Sequence, residues 1–261
     1  MLGMENSRMI YQFSSLLRFD DLVHVVTSAR FDQYDDFNIA DHVGLNCESA
    51  MRNRRLVCDS VEINCDRLTT GQQVHKTNVA VVTAQDVGRG SEGWGSAIPE
   101  TDALVTNLGD TPIMVISADC LLVLLYDPVQ RAIGVIHASW RTTFGGIIGK
   151  TVDTMRQNFR TEPGDLIVGM GPGAGVCCYE VDDPFVETIS SRSEILPFVV
   201  RRNDTQYFDL PGAVRSELVR SGVQADRIEQ MNRCTICDTN FFSYRRQGKS
   251  AGRFGLIASL R

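Results

Sequence analysis

Three side chains in this sequence have the chemistry of a reactive centre: His75 in Gln-Gln-Val-His, Cys120 in Ser-Ala-Asp-Cys and His137 in Val-Ile-His-Ala-Ser-Trp-Arg. Each is expected at the end of an apolar, strand-like run, where a sheet delivers side chains to an edge or cleft. Two imidazoles and a thiolate form a ligand set that zinc or copper accepts. Three protein ligands also leave a fourth position open, as in metals that do chemistry. The same atoms can be read as a cysteine nucleophile, Cys120, with His75 or His137 as its base. The chain has only 4 histidines, so two at such places are informative.

Neighbouring residues extend the candidate centre. Asp119 precedes Cys120, and a carboxylate at the edge of an apolar run is costly to bury unless it is paired or works as an acid, base or orienting group. Arg141, just past His137, is its expected charge partner, and Trp140 offers a flat face to an aromatic ring. Arg245, Arg246 and Arg253 read either as a clamp for an anion such as phosphate or as a solvated basic edge. The Gly-Met-Gly-Pro-Gly-Ala-Gly run from Gly169 to Gly175 is not a dinucleotide loop: the β-like Val-Cys-Cys-Tyr-Glu-Val follows it, and Pro172 sits inside the would-be phosphate turn. Cys177-Cys178 and Cys234-x-x-Cys237 could build a second, soft-metal site, although one Cys-x-x-Cys without a matching pair is a weak signal.

The elements that must position these residues alternate between strand and helix patterns. Strand signals fall at Leu22–Ala29, Gln73–Thr83, Ala103–Thr106, Ile113–Tyr126, Ala132–His137, Leu166–Met170, Phe241–Arg245 and Phe254–Ala258. Asp127-Pro128 supplies a turn that puts Cys120 and His137 on neighbouring strands. Helical spacing marks Ala50–Cys65, Phe144–Phe159 with Thr142 or Thr143 as its cap, Asp183–Ser190 and Pro211–Ser221. Strict βαβ alternation is absent, which predicts layered mixed β-sheets flanked by helices, α/β or α+β in class. No linker or repeat divides the chain. It is expected to be one domain over residues 1–261, with residues 1–20 a loosely ordered N-terminal segment.

A net charge of −6 argues against a nucleic-acid partner or an anionic membrane surface. No window is long and apolar enough to span a bilayer, and the early acid in Met1-Leu-Gly-Met-Glu does not fit a signal peptide. A cytoplasmic location is the expectation. The 8 cysteines then read as thiols, metal ligands or core residues rather than a disulfide framework.

Six stretches resemble one family in the same order: Gln-Val-His75, Thr-Asp102-Ala-Leu-Val-Thr, Ala-Asp119-Cys120, His137-Ala-Ser-Trp-Arg, Gly-Pro-Gly-Ala-Gly-Val-Cys-Cys-Tyr-Glu-Val, and the block from Cys234-Thr-Ile-Cys to Gly252-Arg253. It is the laccase-domain family of the YfiH type, described both as multicopper polyphenol oxidases and as purine nucleoside phosphorylases. The resemblance runs from about Asn38 to Leu260. It implies a single α/β domain and a metal, zinc or alternatively copper, on His75, Cys120 and His137. It further implies phosphorolysis of purine nucleosides, with adenosine deamination and methylthioadenosine cleavage as related activities. Substrate and phosphate contacts are expected from Arg30, Asn38, Arg54 and Gln73, and catalytic roles from Asp119 and Arg141. The protein is expected to act as a monomer or weak oligomer. The chain departs from the family at Ser139 and Thr142, where glycines are usual, and around Thr27–Asp36, where a glycine-rich segment is altered.

Copper chemistry is bounded by composition. A trinuclear copper cluster needs many imidazoles, and 4 histidines cannot supply one within a chain. A single His-Cys-His copper site stays open, as does zinc. Three functions follow from these readings: a metal-dependent purine nucleoside phosphorylase, a copper-dependent phenol oxidase, and a non-enzymatic metal-binding or redox module.

Overall fold

The computed structural model describes residues 10–191 and 193–261, and two sheets packed face to face organise it. The first has the strand order Leu22–Val26, Phe254–Leu260, Ile113–Ser117, Thr69–Thr70. The second runs Ile228–Gln230, Ile167–Met170, Leu121–Asp127, Ala132–Ala138, Ala103–Thr106, Val79–Val81. Pairing is mixed: Leu121–Asp127 and Ala132–Ala138 are antiparallel, whereas Val79–Val81 lies parallel to Ala103–Thr106. The expected mixed layering is therefore what the chain forms.

The layers follow from strands that are apolar on both faces. Along Leu121–Asp127, side chains alternate between sides. Leu122, Leu124 and Tyr126 pack with Val115 and Leu256 between the sheets. Leu121, Val123 and Leu125 face the other way, onto Ile148, Val152 and Met155 of the helix Ile147–Phe159 and Leu218 of the helix Leu210–Arg220. On the far side of the first sheet, Met114, Ile116 and Ile257 meet Val57 of the helix Ala50–Ser60. The order of layers is helix, sheet, sheet, helices. Leu124 is fully buried, so Leu124→Ala would cost about 2–5 kcal/mol.

Three expected elements differ. The strand expected over Gln73–Thr83 is limited to Val79–Val81; His75 sits in a bend at φ 61°, where the backbone N–H groups bond to a carboxylate instead of a neighbouring strand. The helix expected over Phe144–Phe159 is two helices, Trp140–Phe144 and Ile147–Phe159, separated at Gly146, whose φ of 83° a helix interior does not allow. Ser139, rather than Thr142 or Thr143, caps the first. Phe241–Arg245 is not a strand. Phe241 and Phe242 are buried, and Ser243 caps the short helix Tyr244–Gln247.

At the N-terminus, residues 1–9 lie outside the described residues. The rest of the segment expected to be loose is packed: Tyr11 exchanges backbone hydrogen bonds with Val26, and Phe13 and Leu16 are fully buried. Among the described residues no helix is long and apolar enough to cross a membrane.

Candidate metal centre and substrate cavity

The chain passes from one sheet to the other between Ser117 and Leu121, and Cys120 lies in that crossing. The Ser117 hydroxyl donates to the Cys120 carbonyl at 2.6 Å, which tightens the bend. Cys120 therefore sits in a bend rather than at a strand end. Leu121 pairs with Ala138 and Leu122 with His137, so the crossing abuts the strand that carries His137. One ligand atom from each of His75, Cys120 and His137 lies within 4.8 Å of the others, with His75 Nε2 and Cys120 Sγ at 4.0 Å.

Asp102, fully buried at the head of the strand Ala103–Thr106, holds two of these residues in place. Its Oδ1 lies 2.8 Å from His137 Nδ1 and 3.0 Å from the His75 N–H. Its Oδ2 accepts the N–H groups of Val74 and Lys76. With Nδ1–H donated to a carboxylate, His137 turns Nε2 to the centre as a neutral ligand would. The left-handed backbone of His75 is held by the same carboxylate. Asp102 lies in one of the motif stretches, and a carboxylate opening a buried strand is the signal that marks it.

Charge inside the trio is polarised. Burial opposes ionisation of Cys120, but the adjacent His137 and His75 outweigh it and hold the thiol down to about 6. Burial alone would lower His137, but the Cys120 charge and the Asp102 hydrogen bond push it up to about 9. Burial also raises Asp102, against the larger combined effect of His137 and the backbone N–H groups, and its pKa ends below the ordinary carboxylate value. A paired set of two ring nitrogens and a thiolate, with one ring fixed from behind, fits a zinc or single-copper site.

His75 and His137 open onto a cavity of about 640 Å³, inside the range of roughly 300–1,000 Å³ usual for small-molecule sites. One wall is a ring pair, His42 and Trp94, with centroids 3.9 Å apart. Asp41 fixes it by accepting the Trp94 N–H at 2.8 Å, and Arg54 in turn holds Asp41 at 3.2 Å. The lining also carries Arg141, stacked on Trp140 at 4.3 Å, Arg245, and Arg253, whose N–H bonds to Asn38 beside the His42 segment. Arg253 donates through Nη1 to the Ala251 and Gly252 carbonyls.

The other expected site residues divide between the cavity and its surroundings. Arg54 is 2% exposed and donates to Ile39 and Gly90 carbonyls as well as to Asp41, so it braces the wall from behind. Asn38 is buried and consumed by backbone partners at Ala40, Val43 and Arg253. Arg30 pairs with Asp35 on the surface hairpin and does not line the cavity. Gln73 does line it, with its amide clamped to both backbone groups of Ile116. Asp119 lines it too, but makes no ion pair with Arg141 among the described residues. Its oxygens accept from the Thr235 hydroxyl and the Arg245 N–H, each at 2.7 Å, and its φ is 93°. Sequence reasoning did not single out His42, Trp94 and Tyr179: His42 lies in a loop, Trp94 opens a one-turn 3-10 helix, and Tyr179 just precedes the short strand Glu180–Val181.

The sequence of this chain matches a family model, multi-copper polyphenol oxidoreductase laccase, over residues 26–261. The chain belongs to this family. It is 31% identical over 224 residues to purine nucleoside phosphorylase YlmD of Geobacillus stearothermophilus, covering 84% of this chain and 82% of the relative. It is 32% identical over 225 residues to adenosine deaminase RL5 of an unknown prokaryotic organism, covering 84% and 85%. The crystal structure of YlmD from Geobacillus stearothermophilus superposes with a TM-score of 0.86 at 29% identity, covering 94% of each chain. The family description names several coppers, yet 4 histidines serve this laccase-domain chain, and His24 and His42 lie outside the trio.

Proposed function

We propose that the protein is a metal-dependent purine nucleoside phosphorylase, with a metal, zinc for preference, on His75, Cys120 and His137. The observation that carries this reading is one cavity faced by the two histidines, the His42–Trp94 rings and three arginines. That inventory suits a flat heterocycle, an anion and an activated oxygen held together. Similarity to relatives named purine nucleoside phosphorylase and adenosine deaminase supports it.

In phosphorolysis a phosphate oxygen bonds to C1′ of the ribose, the C1′–N9 bond breaks, its electron pair leaves with the purine, and the proton of the hydrogen phosphate ends on the departing base. Products are ribose 1-phosphate and the free base. The bound metal would supply Lewis-acid polarisation of an oxygen ligand. The protein's own residues do the rest. Trp94 and His42 hold the base by stacking. Arg253 and Arg141 take the phosphate by charge-assisted hydrogen bonds. Asp119 already accepts two hydrogen bonds, so it serves as a fixed acceptor for an N–H of the base. Tyr179 and Trp140 narrow the cavity and exclude water.

The test is turnover of inosine and adenosine by zinc-loaded protein with and without phosphate. Free base with stoichiometric ribose 1-phosphate, only when phosphate is present, is the expected result. Absence of both products from metal-replete protein would overturn the reading. Ammonia release from adenosine without phosphate would show deamination, the activity in the name of the second relative. A His-Cys-His set also suits copper, so oxygen uptake with a phenol is the third arm of the same assay.

A further inference from the structure

We propose that Cys177, Cys178, Cys234 and Cys237 form a second metal site, a closed four-thiolate zinc site that staples two loops of the cavity wall. The sulfurs of all four lie within 4.8 Å of one another, with Cys177 and Cys237 3.9 Å apart. Four sulfurs around a tetrahedral zinc at a Zn–S distance of about 2.3 Å would sit roughly 3.8 Å apart. The observed cluster is therefore already close to the size the ion needs. None of the cysteines is disulfide-bonded.

The backbone around the cluster has the form of a ligand scaffold. Gly173 pairs with Cys234 in a parallel bridge, with Gly173 N–H on the Arg233 carbonyl and Thr235 N–H on the Gly173 carbonyl. This lays the glycine-rich loop beside the Cys-x-x-Cys segment, whose Cys234 lies 59 residues beyond Gly175. The Gly175 N–H points at Cys234 Sγ at 3.3 Å, a hydrogen bond that favours a thiolate. The Cys-x-x-Cys turn closes through Asp238 N–H on the Cys234 carbonyl. A side chain at Gly175 would meet Cys234 Cβ at 3.0 Å and Cys177 Sγ at 3.4 Å, so the packing leaves room for glycine there.

Chemistry separates this site from the first. Four thiolates complete a tetrahedron and leave no open position, the signature of a metal that braces structure. Cys177 and Cys237 are exposed, which gives the ion an entry path. The two stapled loops lead directly into the cavity: Tyr179 follows Cys178, and Thr235, between the paired cysteines, holds Asp119.

The test measures zinc in full-length Cys120→Ala protein purified under reductant, where the His-Cys-His site is disabled. About one zinc per chain is expected to remain, with an X-ray absorption shell of four sulfurs at about 2.3 Å and intense tetrahedral bands after cobalt exchange. Adding Cys237→Ser, at an exposed position outside the core, should remove that zinc while circular dichroism stays unchanged; zinc retained in this double variant would also overturn the proposal. Substoichiometric metal in Cys120→Ala protein, a shell dominated by nitrogen or oxygen, or a Cys177–Cys237 disulfide in place of metal would each overturn the proposal. Because the readout is metal content and not turnover, a failed nucleoside assay leaves it standing.

Discussion

His137 Nδ1 lies 2.8 Å from Asp102 Oδ1, and that same carboxylate gathers the N–H groups of Val74, His75 and Lys76. One buried anion thus orients the ring of one candidate ligand and the backbone of another. Asp102→Asn keeps the shape but loses the charge, and its amide can donate where the native group accepts. Zinc affinity at the trio, read by chelator competition, is expected to fall about 10- to 100-fold. Unchanged affinity would show that the carboxylate shapes the fold alone.

Metal uptake at the trio should depend on pH in two regimes. His137 in the metal-free protein holds its proton up to about 9, and Cys120 becomes a thiolate above about 6. Between these values the ion must displace one proton, from His137, so affinity should rise about tenfold per pH unit. Below pH 6 it must also displace the Cys120 proton, and the slope should steepen. Zinc titrations across this window check both slopes, and a flat profile would contradict the charge distribution described above.

Ser139 and Thr142 share one task in the structure. The Ser139 hydroxyl accepts the Thr142 N–H, while the Thr142 hydroxyl accepts the Ser139 N–H at 2.8 Å and donates to the His137 carbonyl at 3.0 Å. This is a capping box on the helix that carries Trp140 and Arg141. Ser139→Ala is expected to lower stability by about 1 kcal/mol, and Ser139→Gly by only a few tenths. Urea denaturation of the two variants should return that order.

Acid sensitivity should come from a histidine remote from the cavity. His24 is 1% exposed, and its Nε2 accepts the Phe13 N–H at 2.9 Å, a bond only the neutral ring can make. Burial pushes its pKa down to about 4. A depressed folded-state value means that this stability is complete above the unfolded pKa near 6.5 and is lost as pH falls toward 4, by at most about 3 kcal/mol. His24→Gln should flatten the stability profile between pH 6.5 and 4. An unchanged acid limb would place the effect elsewhere.

Arg253 and Arg54 should fail in different ways. Loss of a charge-assisted hydrogen bond of about 1.5–3 kcal/mol predicts a KM for phosphate roughly 10- to 150-fold higher in Arg253→Met, with the KM for inosine little changed. Arg54→Met leaves Asp41 and two carbonyls without their donor, so its first effect should be a lower melting temperature. A phosphate-specific effect at Arg54 would reverse this assignment.

Legibility of the sequence divided along physical lines. His137 and the Leu121–Asp127 strand were readable because continuous β-branched and aliphatic runs leave few alternatives. The layered architecture followed from those runs. The sequence marks His75 as a member of the trio but not as a bend, because the partner of its backbone, Asp102, lies 27 residues away. Arg54 and Asn38 looked like ligand contacts because their types suit anions and ribose; only burial shows that the backbone has claimed them. The platform of His42 and Trp94 has no periodicity, since loop side chains are placed by Asp41 and not by a repeating element. The four-cysteine cluster is visible in the sequence as a weak spacing, and contacts made in the fold, the Gly173–Cys234 bridge and the Gly175 N–H on Cys234 Sγ among them, join its halves.

Asp119 and Cys120 are consecutive residues facing opposite duties. The first grips Thr235 and Arg245 of one cavity wall, and the second belongs to the trio. A single peptide plane therefore connects reactive centre and wall, and neither can drift without tilting the other. The His42–Trp94 side hangs from Asp41 and shares no such peptide. Divergence toward new ligands is thus expected to proceed from that looser flank, with the Asp119 side left as the inherited hinge-pin of the cavity.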